Sequence, residues 1–245
     1  VSVPFSYLDD NQKPVGFAMD LCARIVDAVK GELKLPALQT RLQPIQLSTQ
    51  IPLIENGTID IVCGPATNTL ERQKVVAFSD TIFVSSIRAV VRKDAPIRAF
   101  EDLGGRPVSL TSGSTSIGLL SARAQANNFQ TKNILTPDHA ASFLALTTGR
   151  SEAFVMDDIL LASLVAGSKS PDDYVISKDA FSKPEPYGIM LRKDDAPFKK
   201  VVDAATAALY TSGEGQKIYD KWFTQKIPPK GLNLNSPAGP EMKKQ

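Results

Sequence analysis

The sequence predicts an α/β protein of two lobes, each a mostly parallel sheet flanked by helices, on three observations. Helical and strand patterns alternate: residues 19–33 carry apolar side chains at helical spacing, whereas residues 59–62 and 153–156 are short apolar runs of the buried-strand type. One phrase, helix then glycine then strand then polar residues, occurs in both halves, once around Gly57 and once around Gly149. Two further apolar stretches, residues 88–91 and 187–191, each run straight into Arg-Lys-Asp. Read as paired crossing strands, they divide the chain into a discontinuous outer lobe, residues 1–91 plus 189–245, and a middle lobe, residues 92–188.

In chain order, the helix over residues 19–33 is followed by an extended stretch at 38–45 and a short helix at 51–55, which Asn56 and Gly57 stop. Residues 59–62 form a buried strand. In the middle lobe, residues 142–148 read as a helix ended by Gly149, and residues 153–156 as the strand that delivers Asp157. Residues 198–210 and 215–223 are helical, and residues 227–245, with their Pro and Asn, read as a loosely ordered strap.

The 245 residues are 42% hydrophobic and 22% charged, enough to bury a core in one or two domains of about 100 to 200 residues each. Net charge is +2 with Lys and Arg scattered, so there is no nucleic-acid footprint, and no apolar run has the length of a membrane span. With one His, two Cys and no CxxC, ligands for a zinc site are lacking, and neither metal nor cofactor is expected. Cys22 lies in an amphipathic helix and Cys63 at the end of a strand; they form either a disulfide, given an oxidising compartment, or two buried thiols.

Residues 59–74 (IDIVCGPATNTLERQK) and 108–120 (VSLTSGSTSIGLL) read as one device built twice: buried strand, glycine turn, helix start with free amide donors. Such a start carries about half a positive charge and seats an anion. In the first copy Asn68 and Glu71 suggest a capping box, and Arg72 follows as a fork that matches a carboxylate. An arginine in the first turn opposes the helix dipole, which favours a binding role over that of a solvated surface side chain. In the second copy, capping alone would account for Ser114 and Thr115. Asp157 could also be a plain helix cap, but Asp158 beside it can do that work. Two anion seats, one Arg and one Asp suggest a pocket for a zwitterion, a free amino acid.

The motifs VPFSYLDDNQKPVGFAMDLC, IENGTIDIVCG, TNTLERQK, FSDTIFV, TSGSTS, DHAASF, VMDD, YGIMLRKDD and SGEGQKIYDKWF, in that order, resemble the periplasmic amino-acid-binding proteins of ABC importers (solute-binding protein family 3), closest to the glutamate/aspartate-binding group. The resemblance covers essentially the whole chain and implies a type II-like periplasmic-binding-protein fold, two lobes on two hinge strands that close on ligand like a Venus flytrap. It implies a periplasmic monomer that hands an amino acid to a membrane permease and is not an enzyme. By the same resemblance Arg72 grips the ligand α-carboxylate with Thr115, while Asp157 takes the α-ammonium with the Pro65 carbonyl and the Thr67 hydroxyl. His139 reaches the ligand side chain, Ser114 stands beside Thr115, and Phe5 walls the cleft.

Departures from the family pattern bear on the ligand. The arginine usual just before IPL is Gln50 here, a nearby family serine is Leu47, and a second arginine belongs to a strand ahead of VPF, so Val1 is not expected to mark the native start. Acidic ligands, glutamate or aspartate, are expected ahead of glutamine or asparagine. Two rivals are a ligand-sensing receptor ectodomain with the same clamp and, less favoured, an enzyme on this fold. The second finds no HExxH, GxSxG, Walker A or Rossmann glycine pattern.

Overall fold

The computed structural model describes residues 2–229 and 231–238; residues 239–245, the end of the expected strap, lie outside them. In chain order the elements are β1 (Tyr7–Leu8), β2 (Pro14–Val15), α1 (Phe17–Leu33), α2 (Gln50–Glu55), β3 (Ile61–Thr67), β4 (Val76–Phe78), β5 (Phe83–Ser85) and β6 (Ile87–Arg92). Then come β7 (Pro107–Thr111), α3 (Thr115–Ala126), β8 (Lys132–Thr136), α4 (His139–Thr147), β9 (Ala153–Asp157), α5 (Asp158–Ala166), β10 (Tyr174–Ile176), β11 (Glu185–Arg192), α6 (Ala196–Thr211) and α7 (Glu214–Phe223). By contacts the chain separates into a terminal unit, Ser2–Ile45 with Gln50–Val84 and the residues from Pro186 onward, and a middle unit, Gln46–Thr49 with Ser85–Glu185.

In the terminal unit, α1 buries Phe17, Ala18, Leu21, Cys22 and Ile25, the i, i+3, i+4 stripe that its sequence carries. Its first amides do not lack acceptors: Phe17 and Ala18 donate to the carbonyls of Pro4 and Phe5 at 2.8 and 2.9 Å. That approach requires Gly16, at φ +139°, because a Cβ there would lie 2.2 Å from the Phe5 oxygen. Around Phe5 and Phe17 stand the rings of Phe83, Tyr187 and Phe223, all within 6.4 Å centroid to centroid. Cys22 and Cys63 are joined in a disulfide, which ties α1 to β3. Of the two alternatives for these cysteines, the cross-link is the one realised.

The sheet of this unit has the order β3-β11-β4, with β5 also paired to β11. Both β3 and β4 run antiparallel to β11, which differs from the expected parallel pairing. The two early strands do point the same way, but a late strand returns between them in the opposite sense. Opposite residues 63–65 the β3–β11 register shifts between Gly188 and Met190, where Pro65 has no N–H to give the ladder. Residues 38–45, expected as an extended stretch, join no sheet. Residues 38–44 are exposed, and Pro36 and Pro44 bracket the stretch with two missing donors.

The middle unit is a five-stranded sheet of order β10-β6-β9-β7-β8. Here the parallel expectation holds for β8, β7 and β9, with α3 and α4 as the crossover helices, while β6 and, at the edge, β10 are added antiparallel. Every residue of β9 is buried, as a central strand covered on both faces requires. Ile87, Ala89, Val91, Val108, Leu110 and Leu120 form the core under one face.

Candidate functional site

The carboxyl ends of β7 and β9 lie at the same end of the middle sheet, since Val108 pairs with Ala153 and Ser109 with Phe154 in parallel register. Open α/β sheets bind ligands at that end, where loops and helix starts gather. After β7 the chain turns through Gly113 at φ +84° and enters α3 at Thr115, with Ser114 in the N-cap position. A Cβ on Gly113 would lie 2.7 Å from the Ser48 Cα, so the turn admits only glycine without a backbone shift. Ser114 makes no capping bond. Its hydroxyl and that of Ser116 are buried without a hydrogen-bond partner. Two unpaired hydroxyls at the start of a twelve-residue helix are polar groups without an acceptor or donor to meet, at the positive end of the helix dipole. Thr115 Oγ1 donates to Glu185 Oε2 at 3.3 Å, so a carboxylate already stands beside this helix start.

Asp157 closes β9 with only 2% of its surface exposed and makes no side-chain capping bond to α5. Its neighbour carries the local structure instead. Asp158 Oδ1 accepts from Ser85 Oγ at 2.7 Å and from the Ile159 amide at 2.8 Å, while Oδ2 meets Arg88 Nε at 3.2 Å. His139 opens α4, whose cap is Asp138 accepting from the Ala141 amide at 2.8 Å. The imidazole is 6% exposed, with Nδ1 and Thr111 Oγ1 2.9 Å apart. Burial, and after it the positive charge of the chain's amino terminus, push its pKa down to about 4, against the opposing pull of Asp138. Ser114, Thr115, His139 and Asp157 thus belong to one end of one sheet.

The other expected residues lie in the terminal unit. Arg72 is half-buried and opens a single 3-10 turn, Arg72–Lys74, rather than an α-helix. The first copy of the anion device is therefore corrected: β3 runs through Gly64 as far as Thr67, and no long helix follows. The expected Asn68–Glu71 capping box is absent as well. Thr69 Oγ1 accepts from the Arg72 amide at 3.1 Å, and Asn68 Oδ1 accepts from Gln73 Nε2 at 2.7 Å. Threonine wins because a 3-10 turn brings the hydroxyl three residues back within reach. Arg72 Nη1 donates to the Thr67 carbonyl at 2.9 Å, which brings Arg72 together with Thr67 and, two residues earlier on β3, Pro65.

Gln50 begins α2 with 4% exposure, and its Nε2 has no partner. A buried amide donor left open points to a ligand or water that completes it. Phe5 is fully buried among four rings, in the aromatic core of its unit. Sequence reasoning missed Thr111, Ser116 and Glu185. Thr111 and Ser116 look like ordinary strand-end and helix residues, and Glu185 sits among prolines and lysines with no motif to mark it. Among the described residues no group of three or more His, Cys, Asp or Glu side chains could hold a metal, and no helix is long and apolar enough to cross a membrane.

Comparison with known proteins places this geometry in a family. The family model described as bacterial extracellular solute-binding proteins, family 3, matches residues 2–225. An L-glutamate/L-aspartate-binding protein of Pseudomonas aeruginosa is 50% identical over 244 residues, 99% of this chain and 80% of that protein. A glutamate/aspartate import solute-binding protein of Salmonella typhimurium is 48% identical over 242 residues, again 99% of this chain and 80% of the relative. Among solved structures, an ancestral arginine-binding protein bound to arginine superposes with a TM-score of 0.80 at 31% identity, over 91% of this chain and 94% of the other. A two-unit α/β chain with a helix start at the carboxyl end of its middle sheet, matched to these relatives over nearly its whole length, belongs to the bacterial extracellular solute-binding proteins of family 3.

Proposed function

We propose that this protein binds a free acidic or polar L-amino acid, glutamate or aspartate ahead of glutamine or asparagine, and delivers it to the membrane permease of an ABC importer. It acts as a periplasmic monomer and releases its ligand chemically unchanged. The observation that carries this reading is the 50% identity to a glutamate/aspartate-binding protein across 99% of the chain. Buried polar atoms awaiting partners at Ser114, Ser116 and Gln50 support it independently.

In this reading Arg72 holds the α-carboxylate as a bidentate fork, helped by Thr115 and the amides that open α3. Asp157 holds the α-ammonium, with the Thr67 hydroxyl and the Pro65 carbonyl completing its three donors. His139, Gln50 and Ser114 meet the side chain, and Phe5 supports them from the core. Asp158 is excluded from the ligand set, because Ser85, Arg88 and the Ile159 amide already use its oxygens.

A thermal-shift panel of the twenty amino acids tests the reading, since a ligand that binds only the folded state raises the melting temperature by mass action. Glutamate, aspartate, glutamine or asparagine should stabilise. A response confined to aliphatic or cationic amino acids would overturn the side-chain assignment, and a ligand recovered altered would overturn the transport role.

A further inference from the structure

Behind His139 lies a chain of buried hydroxyls. Thr111 Oγ1 is 2.9 Å from His139 Nδ1 and 3.0 Å from Ser142 Oγ; Ser142 Oγ is 2.5 Å from Thr136 Oγ1. Thr136 Oγ1 ends the chain on the Asp138 carbonyl at 3.1 Å, with the Leu110 carbonyl at 3.4 Å. A carbonyl only accepts, so it fixes a direction. If Thr136 donates to it, Ser142 donates to Thr136, Thr111 to Ser142, and His139 Nδ1–H to Thr111, which makes four hydrogen bonds. The reverse direction, with Thr111 donating to Nδ1, makes three. The forward order is therefore preferred roughly fivefold, the worth of one net hydrogen bond at ~1 kcal/mol. Nε2 makes no hydrogen bond among the described residues.

We infer that Thr111, Ser142 and Thr136 are positioning residues for His139, keeping the ring proton on Nδ1 and presenting Nε2 to the ligand side chain as an acceptor that favours an amide over a carboxylate unless the ring takes up a proton. The inference rests on the proposed role of His139 at the ligand side chain.

A carboxylate can then be met in two ways. Either the three hydroxyls reverse, with the loss of one hydrogen bond, or a solvent proton adds to Nε2 and the imidazolium donates from both nitrogens. The elements packed on α4 are β6, β7, β8 and β9. Arg88 and Arg92 on β6 are held by Asp158 and Asp94, and Lys132 lies at the far end of β8 from Thr136. That leaves Asp138 at the cap and Asp157 at the end of β9, both acidic, and β7 carries no charge. Burial, and after it the positive charge of the chain's amino terminus, outweigh the pull of Asp138 and keep the free ring neutral down to about pH 4. Glutamate affinity should therefore rise as the pH falls.

Titration calorimetry of the full chain with glutamate and glutamine at pH 8, 7 and 5.5 tests this, within a range where the glutamate side chain stays ionised (pKa about 4.3). For the unmodified protein, glutamate affinity should rise several-fold from pH 8 to 5.5 relative to glutamine. Thr136→Val removes the end of the chain, so both directions make two hydrogen bonds. Glutamate should then bind about threefold more tightly at pH 8, because the competent tautomer rises from about one sixth to one half of the population, with a flatter pH profile, and a merely structural defect would instead weaken both ligands alike. A pH-independent glutamate affinity, or equal loss for both ligands in Thr136→Val, overturns the inference. Absence of binding by any amino acid at any pH would instead overturn the proposed function on which it rests.

Discussion

Replacing Cys22 and Cys63 together by alanine, or reducing the unmodified protein, opens a loop closed across 41 residues. The chain-entropy relation gives about 13 cal/mol/K for a loop of that size, or about 4 kcal/mol at room temperature. The full value is expected here because the loop contains residues 38–45, which join no sheet and could not by themselves keep the unfolded chain compact. Against a typical total stability of about 5 to 15 kcal/mol, that is a large fraction. Trp222, the only tryptophan, reports on the same unit: its Nε1 donates to Asp20 of α1 at 2.7 Å, and its ring packs on Tyr7. Urea unfolding followed by Trp222 fluorescence should thus lose about 4 kcal/mol in both the alanine variant and the reduced protein, with a melting temperature lower by roughly 8 to 16 °C. A loss below about 1 kcal/mol in both would refute the claim that this cross-link stabilises the α1–β3 packing.

Three further outcomes follow from the geometry. Arg72→Ala should weaken amino-acid binding by roughly 100-fold or more while the far-UV spectrum and melting temperature stay close to those of the parent, because a half-buried charge-assisted fork is lost without touching a core; calorimetry with near-normal affinity would remove its assigned role. Asp157→Asn should show the same pattern of lost binding with intact stability, whereas Asp158→Ala should lose roughly 2 kcal/mol of stability through its bonds to Ser85, Arg88 and the Ile159 amide, and retain binding. His139 has a folded pKa of about 4 against roughly 6.5 unfolded, so between those values the unfolded chain binds more protons and stability falls as the pH drops; the loss of up to about 3 kcal/mol should be absent in His139→Gln, as read by melts at pH 7 and 4.5.

What the sequence made legible was local periodicity. The helical stripe of α1 and the buried strand β9 appear where apolar spacing put them, because those patterns are fixed by the faces they bury. Strand direction was not legible in the terminal unit. The order β3-β11-β4 depends on a strand more than a hundred residues away in sequence, and no window of local periodicity contains that information. Residues 38–45 illustrate the same limit. They read as extended from their sequence, but a strand is a pairing, and among the described residues they form none.

The same division between local and non-local runs through the candidate site. A tight glycine turn into a long helix was readable at Gly113, since only a positive φ and a close backbone approach demand that residue, and there the helix start forms. At Gly64 an identical letter sits inside a strand, and the helix that should follow shrinks to one 3-10 turn. Glycine by itself did not distinguish the two; the twelve residues of helix-forming sequence that begin at Thr115, with none of comparable length after Arg72, did. Adjacent aspartates divide their labour by a similar rule. One of them must satisfy the ends of β6 and α5, and the carboxylate that points toward Ser85 and Arg88 is Asp158, while Asp157 at the strand end makes no side-chain cap bond to α5. Hydroxyls such as Thr111, Ser142 and Thr136 carry no signature in sequence, because their meaning lies in a hydrogen-bond direction that exists only once β7, β8 and α4 are packed together. Motifs therefore locate the charged groups proposed to meet a ligand, while the hydroxyls bonded behind His139 are visible only in the fold.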